Sequence, residues 1–415
     1  VLLRVHAGRS LQYGVEQLHA TVRVVPDLAD RIFEGQPYGL ARLVRLEHRP
    51  RVVANELVLE TCRVRHVVLD LDALLLRALP LRDEVGGALL HALDLAPGNP
   101  RVHLDIGYYR LWGYRDIEGA LAEFERAAGE LAGNADVFDA LSNMYIVEGR
   151  WEDCLDAAQR GVELSPRDAG FVSQTAFALL MLRRYPDALA ASDQAIQLAP
   201  DAFWPYFYKA LTLWSWRGDP TQSRSVLDGL PTTARGWERW TRFWQEMYEG
   251  RYKDALSRLE STTEGWIRIK MWARPNVLLA AYVYEKLGDT EAASNGYETA
   301  RELLEAEVAV SPEDPRMRSS LGIVYAKQGR SEDAVREGIR ATELLTRSMD
   351  GFYYLPYVID LAHIYTILGD KQAALAQLEY LLSNPSWIST PFLRMDPRWD
   401  PLREDPRFQA LLEKY

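Results

Sequence analysis

Histidines and carboxylates are the first side chains to consider for chemistry, because two His residues four apart on one helix can bind zinc. The seven His residues are scattered, and no two of them lie four residues apart. Neighbouring carboxylates are more frequent, but most are expected to begin helices, where acids favour the positive end of the helix dipole. The main examples are Glu152 with Asp153, Glu332 with Asp333, and Asp396 with Asp400. These groups therefore predict no metal site and no catalytic residue.

The sequence also lacks the motifs of catalytic nucleophiles and phosphate-binding loops. Cys62 and Cys154 are too few and too far apart for a disulfide framework or a cysteine-based zinc cluster. The phosphate-binding glycine motifs, the GxSxG nucleophile elbow and the HExxH zinc helix are absent from the sequence. The sequence thus predicts a protein that is not an enzyme and that needs no cofactor.

Charge and hydropathy narrow the class of protein further. The 415 residues carry a net charge of −11, which disfavours direct binding to nucleic acid, since neutralising phosphates needs a basic face. No apolar run approaches the roughly 20 residues needed to span a bilayer, and no signal-peptide pattern is present. We therefore expect a cytoplasmic protein without a membrane partner. The chain begins with Val1 rather than Met, which leaves a fragment or a processed product open.

The elements that position these side chains come from an internal repeat. From about residue 100 onward the sequence is self-similar with a period of about 34 residues. The two clearest units run from Ala135 to Pro166 and from Ala169 to Pro200, and they share small residues at positions 8, 20 and 27 and Pro at position 32. The shared small residues are Ser142, Cys154 and Gly161 in one unit and Ala176, Ala188 and Ala195 in the next.

Each shared position has a physical reason. Small residues at position 8 of a first helix and position 20 of a second let two antiparallel helices cross closely. Position 15 lies in the turn between them, where Gly can adopt positive φ and end the helix. Pro at position 32 stops the second helix. Because position 20 demands a small buried residue, we expect Cys154 to be an inert thiol rather than a nucleophile.

This pattern resembles the tetratricopeptide repeat over residues 100–384. The resemblance implies an all-α fold, a right-handed α-solenoid of about eight helix pairs in which stacked neighbours supply the core. Three further clear copies are centred on Gly288, Gly329 and Gly369, and weaker copies start near Pro100, Phe203 and Gly236. The spacing widens toward the C-terminus, so later second helices or linkers are expected to be longer.

Three segments are predicted: residues 1–85, a repeat array over 86–384 and a C-terminal cap over 385–415. The first segment contains strand-like stretches such as LHATVRVV, which favour a small α/β or β-rich unit, while a mostly irregular N-terminus is nearly as well supported. A helix from about Asp83 to Leu95 is expected to precede the array. Trp399 and Phe408 are expected to cover its last apolar face.

An aromatic cluster is the unusual feature of the chain, since eight of its twelve Trp residues fall between residues 204 and 272. In the repeat family, first-helix positions 2, 5, 9, 12 and 13 line the concave groove, and the resemblance gives these positions to aromatic residues in consecutive units. The predicted groove residues are Trp204, Phe207, Trp214, Trp237, Trp240, Trp244, Tyr248, Tyr282 and Lys286. Aromatic side chains at this density usually mark an interaction site.

Two alternatives stay open for this cluster. The aromatic face could pack internally, and Phe243 at position 8, where a small residue belongs, allows a register that is shifted by one. His363 falls at groove position 9 of its unit, where it is either a ligand contact or a solvated or hydrogen-bonded side chain. The family's charged clamp for C-terminal carboxylates does not carry over, because Asp139 occupies position 5, where the clamp has Lys.

These features predict a non-catalytic scaffold that binds a protein or peptide partner, either an extended peptide or a partner helix, in the aromatic groove. Its cationic neighbours, available to an acidic group of the partner, are Arg239, Arg242 and Lys286. The tail, with its repeated Asp-Pro-Arg, also resembles the ending of bacterial multidomain signalling proteins. In them a repeat array follows a kinase, a nucleotide cyclase or a winged-helix DNA-binding domain. The alternative function is therefore a regulatory or sensory region of such a protein.

Overall fold

The computed structural model describes residues 81–231 and 235–415, and these divide into two compact units, with the boundary in sequence between Leu131 and Ala132. The strand-like stretches predicted within residues 1–85 lie outside the described residues. The described part of the chain begins with a helix at Leu81.

The first unit contains helix α1 (Leu81–Leu95), helix α2 (Pro100–Tyr109) with a π-helical turn (Arg110–Tyr114), and helix α3 (Ile117–Glu130). Helices α2 and α3 form the first pair of the repeat. Gly107 stands at position 8 of this pair, and a Cβ atom built there would lie 2.4 Å from the Phe124 ring, so a small residue is required for the helices to cross.

The second unit contains seven further helix pairs, which stack in chain order. Their bounds are α4 (Ala135–Glu148) and α5 (Trp151–Leu164), α6 (Ala169–Met181) and α7 (Tyr185–Leu198), α8 (Phe203–Arg217) and α9 (Pro220–Asp228), α10 (Arg235–Tyr248) and α11 (Tyr252–Glu260), α12 (Asn276–Leu287) and α13 (Thr290–Val310), α14 (Pro315–Lys327) and α15 (Ser331–Leu344), and α16 (Leu355–Leu368) and α17 (Lys371–Ser383). The prediction of an all-α solenoid of about eight helix pairs is confirmed.

The turns between paired helices follow the expected chemistry. Gly149 and Gly369 end α4 and α16 with φ of 68° and 80°, the left-handed conformation that Gly adopts without a Cβ clash. Arg183 occupies the same place after α6 with φ 59°, one of two non-glycine residues with positive φ in the described chain. A non-glycine residue is disfavoured in this conformation, so the contacts of the Arg183 side chain are of interest.

Two features depart from a uniform array. A short antiparallel hairpin, β1 (Trp266–Arg268) and β2 (Ala273–Pro275), joins α11 to α12, with Ile267 opposite Arg274 in register. No feature of the sequence had indicated this hairpin. Helix α13 has 21 residues where α5 has 14, but the later second helices α15 and α17 have 14 and 13 residues. The wider spacing of the later units therefore comes from α13 and from longer linkers, such as residues 345–354 between α15 and α16.

The C-terminal cap consists of α18 (Thr390–Met395), a 3-10 helix (Pro397–Leu402) and α19 (Pro406–Lys414). Trp399 and Phe408 are fully buried, as their predicted covering role requires. Cap residues share one hydrophobic core with the aromatic residues of α8 and α10. The cap therefore contacts first helices far from it in sequence as well as the neighbouring last pair.

Candidate functional site

Three of the predicted groove residues form a partly exposed cluster, here called the aromatic patch: Trp204, Phe207 and Trp237. Trp204 and Phe207 lie three residues apart on α8 and so share one face, while Trp237 comes from the first turn of α10, the next first helix. The Trp237 ring meets Trp204 edge-on at 5.2 Å between centroids and Phe207 at 5.4 Å. Trp204 is 38% exposed, and the other two are half-buried.

Four other predicted groove residues are buried instead. Trp240 and Trp244 are each 7% exposed and Tyr282 is 8% exposed, and Trp214 is buried as well. The Trp214 indole Nε1 donates to Ser223 Oγ at 2.7 Å, so its polar group is satisfied within the fold. These four residues belong to the alternative that sequence analysis left open, an aromatic face that packs internally.

The groove is covered by part of the chain itself, residues 384–402, here called the C-terminal segment. Ser215 Oγ on α8 donates to the Trp387 carbonyl at 2.7 Å, and Ser389 Oγ donates back to the Ser215 carbonyl. Phe392 packs edge-on against Tyr248, the half-buried member of the predicted set. The first helices therefore present much of their concave side to the C-terminal segment.

Cationic side chains fix this segment in place. The Arg183 Nη2 donates to the carbonyls of Leu381, Asn384 and Ile388 at 3.2–3.3 Å, which explains why a left-handed arginine ends α6. Lys286 Nζ donates to the Pro397 carbonyl at 3.0 Å and to the Asp400 carboxylate at 2.8 Å. Lys286 was predicted to face the groove, and its partners belong to the segment that covers it.

The other two predicted cations are also paired within the fold. Arg239 Nη1 contacts the Glu264 carboxylate at 2.5 Å, and Arg242 Nε contacts Glu238 at 2.6 Å. Both arginines are therefore already paired with carboxylates of the same chain.

Beneath the segment lies a cavity of about 40 Å³. Its aromatic walls include Trp240, Trp244 and Tyr282, and its aliphatic walls are Leu278, Leu279 and Ile323. Its ionisable lining residues are Arg274, Lys327, Asp360, His363 and Arg398. These come from β2, α14, α16 and the 3-10 helix, so the cavity exists only when distant parts of the second unit are assembled.

A buried ion pair crosses this region. Arg274 Nη2 contacts Asp360 Oδ2 at 2.5 Å, and both side chains are almost fully buried. Ser319 and Ser320 hydroxyls complete the network, with Ser319 donating to Asp360 and Arg274 donating to Ser320. Such pairs tolerate burial only when their remaining hydrogen bonds are made. Asp360 could have been noticed in sequence, since it interrupts an apolar helix, whereas nothing in the linker sequence predicts the role of Arg274.

His363 lies in the cavity wall with its ring against Tyr282 and Trp399. Burial lowers the pKa of His363 well below its ordinary value, and the charges of Lys327, Arg398, Arg274 and Lys286 lower it further. His363 is therefore neutral at pH 7. It is 7% exposed, so it is not a solvated side chain.

Cys154 occupies position 20 and is fully buried. Burial raises the pKa of its thiol to about 12, so the nucleophilic thiolate is scarcely populated at pH 7. Over residues 81–231 and 235–415, no three His, Cys, Asp or Glu side chains are close enough together to hold a metal ion. In the same residues no helix is both long and apolar enough to cross a bilayer.

Comparison with known proteins places a tetratricopeptide repeat family model on residues 285–342. This span covers the end of α12 through most of α15, the region of the clear copy around Gly329. A search of curated proteins finds no match.

Several solved structures are similar at low sequence identity. Pseudomonas aeruginosa PilF is 16% identical, with 54% of this chain and 93% of that chain covered and a TM-score of 0.40. A tetratricopeptide repeat protein from Parabacteroides merdae is 13% identical over 70% of this chain and 90% of that chain, with a TM-score of 0.39. The Cut9–Hcn1 assembly of APC/C gives 14% identity over 75% and 62%, with a TM-score of 0.41. Similarities this low carry no argument about function.

Proposed function

We propose that this chain is a protein-interaction scaffold that binds an apolar segment of a partner protein at the aromatic patch. Tetratricopeptide repeats commonly bind protein or peptide partners, and a family model of this repeat matches part of the array. The observation that carries the proposal is the exposure of Trp204 beside Trp237 and Phe207.

The patch suits an anchor residue of a peptide or partner helix. Large aromatic side chains at a surface dominate binding energies because they bury much apolar area with little loss of conformational entropy. Trp204 also stacks on Tyr208 at 5.7 Å, so the exposed indole is held in one orientation. A pre-oriented ring binds at a lower entropic cost than a mobile one.

The partner does not contact four deeper residues directly: Trp214, Trp240, Trp244 and Tyr282. A partner could reach them only by displacing the C-terminal segment, which is held through Arg183, Ser215 and Lys286 among others. The partner therefore contacts the aromatic patch, and the covered groove is a separate surface.

The test is a pull-down from lysate with the full chain, read by mass spectrometry, that compares wild type with a Trp204→Ala/Trp237→Ala variant. The matched control is Ile339→Ala, which removes an equally exposed apolar side chain at a distant site. We expect a partner that wild type and the control capture and the patch variant loses by at least about tenfold, as for removal of a hot spot.

A folded patch variant that captures the same proteins as wild type would refute this site. A parallel Trp240→Ala/Trp244→Ala variant separates the two surfaces. If that variant alone loses the partner while circular dichroism shows it folded, the partner binds in the groove after the C-terminal segment moves.

The alternative function, a regulatory region of a larger bacterial signalling protein, is supported by the Asp-Pro-Arg sequences of the tail, which carry the resemblance. Both Asp396 and Asp405 begin helices of the cap and contact the Arg two residues on. Sequencing the coding region upstream of Val1 tests this alternative, since an enzyme or DNA-binding domain in the same reading frame would support it and a start codon directly before Val1 would oppose it.

A further inference from the structure

The cavity beneath the C-terminal segment contains donors without partners. Trp244 Nε1 and the Tyr282 hydroxyl have no hydrogen-bond partner among the described residues, although both side chains are more than nine-tenths buried. Both side chains line the cavity. Buried polar groups are nearly always satisfied, so two unpaired donors beside one cavity indicate that something else accepts their hydrogen bonds.

The charges around the cavity favour an anion. Three cationic side chains line it: Arg274, Lys327 and Arg398. Each has a carboxylate partner, at 2.5 Å for Asp360, 2.7 Å for Glu285 and 2.6 Å for Asp396. Of these three carboxylates only Asp360 lines the cavity, and its Oδ2 already accepts from Arg274 and Ser319. Cations therefore outnumber anions where a ligand would lie.

Size and apolar walls limit the ligand. On the scale where one water needs about 10–15 Å³, a cavity of about 40 Å³ holds roughly three waters, or a group of three to five heavy atoms. Leu278, Leu279 and Ile323 form an apolar side. A charged head with a short hydrocarbon tail satisfies both the donors and this side.

We propose that the cavity is a binding site for a small organic carboxylate of the size of acetate or propionate. The carboxylate accepts hydrogen bonds from the Tyr282 hydroxyl and Trp244 Nε1, the cations compensate its charge, and its hydrocarbon part contacts the aliphatic wall. Phosphate is disfavoured, because it carries more charge against the same apolar walls. This inference does not depend on the proposed scaffold function.

Binding is tested by isothermal titration calorimetry and thermal unfolding of the full chain with sodium acetate and sodium propionate, against sodium chloride at equal ionic strength. We expect saturable binding with a Kd of about 1 mM or tighter and an unfolding temperature that rises with ligand. Tyr282→Phe deletes only the hydroxyl, and Lys327→Gln deletes one cation. Each is expected to weaken binding about tenfold, the usual effect of one lost charge-assisted bond.

Matched controls make the same two types of substitution at residues that do not line the cavity. Tyr325→Phe removes a hydroxyl that donates to Glu305, and Lys371→Gln removes a lysine paired with Asp405. Both should bind acetate as wild type does.

Two further probes identify the source of the carboxylate: sodium phosphate, and a hexapeptide with a free C-terminal carboxylate beside its amidated form. No saturation with acetate or propionate, or equal stabilisation of wild type and Tyr282→Phe, would overturn the proposal. Binding of phosphate alone, or of the free-acid peptide alone, would overturn the assignment of a small organic acid.

Discussion

At the scale of single residues, one short sequence recurs with one geometry. Asp-Pro-Arg begins α14, the 3-10 helix and α19, and in each case the Asp side chain accepts from the backbone N–H of the Arg two residues on. The Arg side chain returns to the same carboxylate, for example at 2.7 Å between Arg316 Nη2 and Asp314 Oδ2. The Asp is thus an N-cap, the Pro occupies the first helical position, and the Arg neutralises the cap.

His363 gives the residue-scale prediction. Because its pKa is lowered in the folded chain and near 6.5 when unfolded, the unfolded state binds a proton below pH 6.5 that the folded state does not. We therefore expect the free energy of unfolding to fall as pH drops from 7.5 to 5.5, by up to about 1.4 kcal/mol per pH unit below pH 6.5. Urea unfolding at three pH values measures this slope, which His363→Gln should remove.

His91, an exposed residue of α1, supplies the control, since His91→Gln should keep the wild-type slope. Asp314 and Asp400 do not overlap this window. Burial raises the pKa of Asp350, which favours the folded state as pH falls and so acts in the opposite direction to His363. The pKa values of Asp314 and Asp400 are lowered in spite of their burial, by Arg316 and by Lys286, so their contributions are lost only below about pH 4. An unchanged slope in His363→Gln would mean that another group controls this pH range.

At the scale of elements, close helix crossings define the array. A Cβ atom at Gly322 of α14 would lie 3.1 Å from the Ala334 carbonyl oxygen and 3.1 Å from the Gly338 nitrogen, both backbone atoms of α15. Ala334 is the fully buried small residue at position 20 of this pair. The predicted pairing of positions 8 and 20 is thus a direct contact of backbones, which a larger side chain would separate.

Gly322→Val tests this crossing. Overpacking of a tight interface typically costs about 1–3 kcal/mol, and we expect a loss of stability in this range, measured by urea unfolding. Gly129→Ala on α3 is the control, because no atom lies within 4 Å of a Cβ there, and it should be neutral or stabilising through helix propensity. A Gly322→Val protein as stable as wild type would show that α14 and α15 can move apart freely.

At the scale of the molecule, the second unit is held together by contacts between parts that are distant in sequence. The C-terminal segment joins α6, α8 and α12 through Arg183, Ser215 and Lys286, each bonded to a residue more than 100 positions away. Several of these contacts are hydrogen bonds to main-chain carbonyls, which do not depend on side-chain identity in the segment. The segment therefore completes the fold rather than extending it by one more repeat.

Arg183→Ala removes two hydrogen bonds to this segment and one to Leu381 of α17, and it is expected to raise amide hydrogen exchange in residues 384–402 at least several-fold, with little change in α4 and α5. Arg183→Gly should raise exchange equally while relieving the backbone at φ 59°. Arg115→Gly makes the same backbone change in the first unit and should leave residues 384–402 protected. Unchanged exchange in both Arg183 variants would contradict an anchoring role for this side chain.

The sequence by itself determined the repeat, because its constraints are local. Small residues at positions 8 and 20, glycine in the turn and proline after the second helix act within about 34 residues of one another, so spacing alone reveals them. The local pattern holds even in the unit where position 8 is a large residue. Phe243 at position 8 and Ala255 at position 20 of that unit are both fully buried. Burial at both positions is what the predicted register of α10 requires.

Only the tertiary structure decided which aromatic residues face solvent. Trp204 and Trp240 occupy groove positions of neighbouring units in the sequence, yet one is exposed and the other is buried. The difference arises because hairpin residue Trp272 stacks on Trp240 at 4.7 Å, and the neighbouring Trp244 lies under Arg398 at 4.6 Å. These partners come from a linker and from the tail, whose return to the groove depends on packing over more than 100 residues and leaves no periodic signal in the sequence.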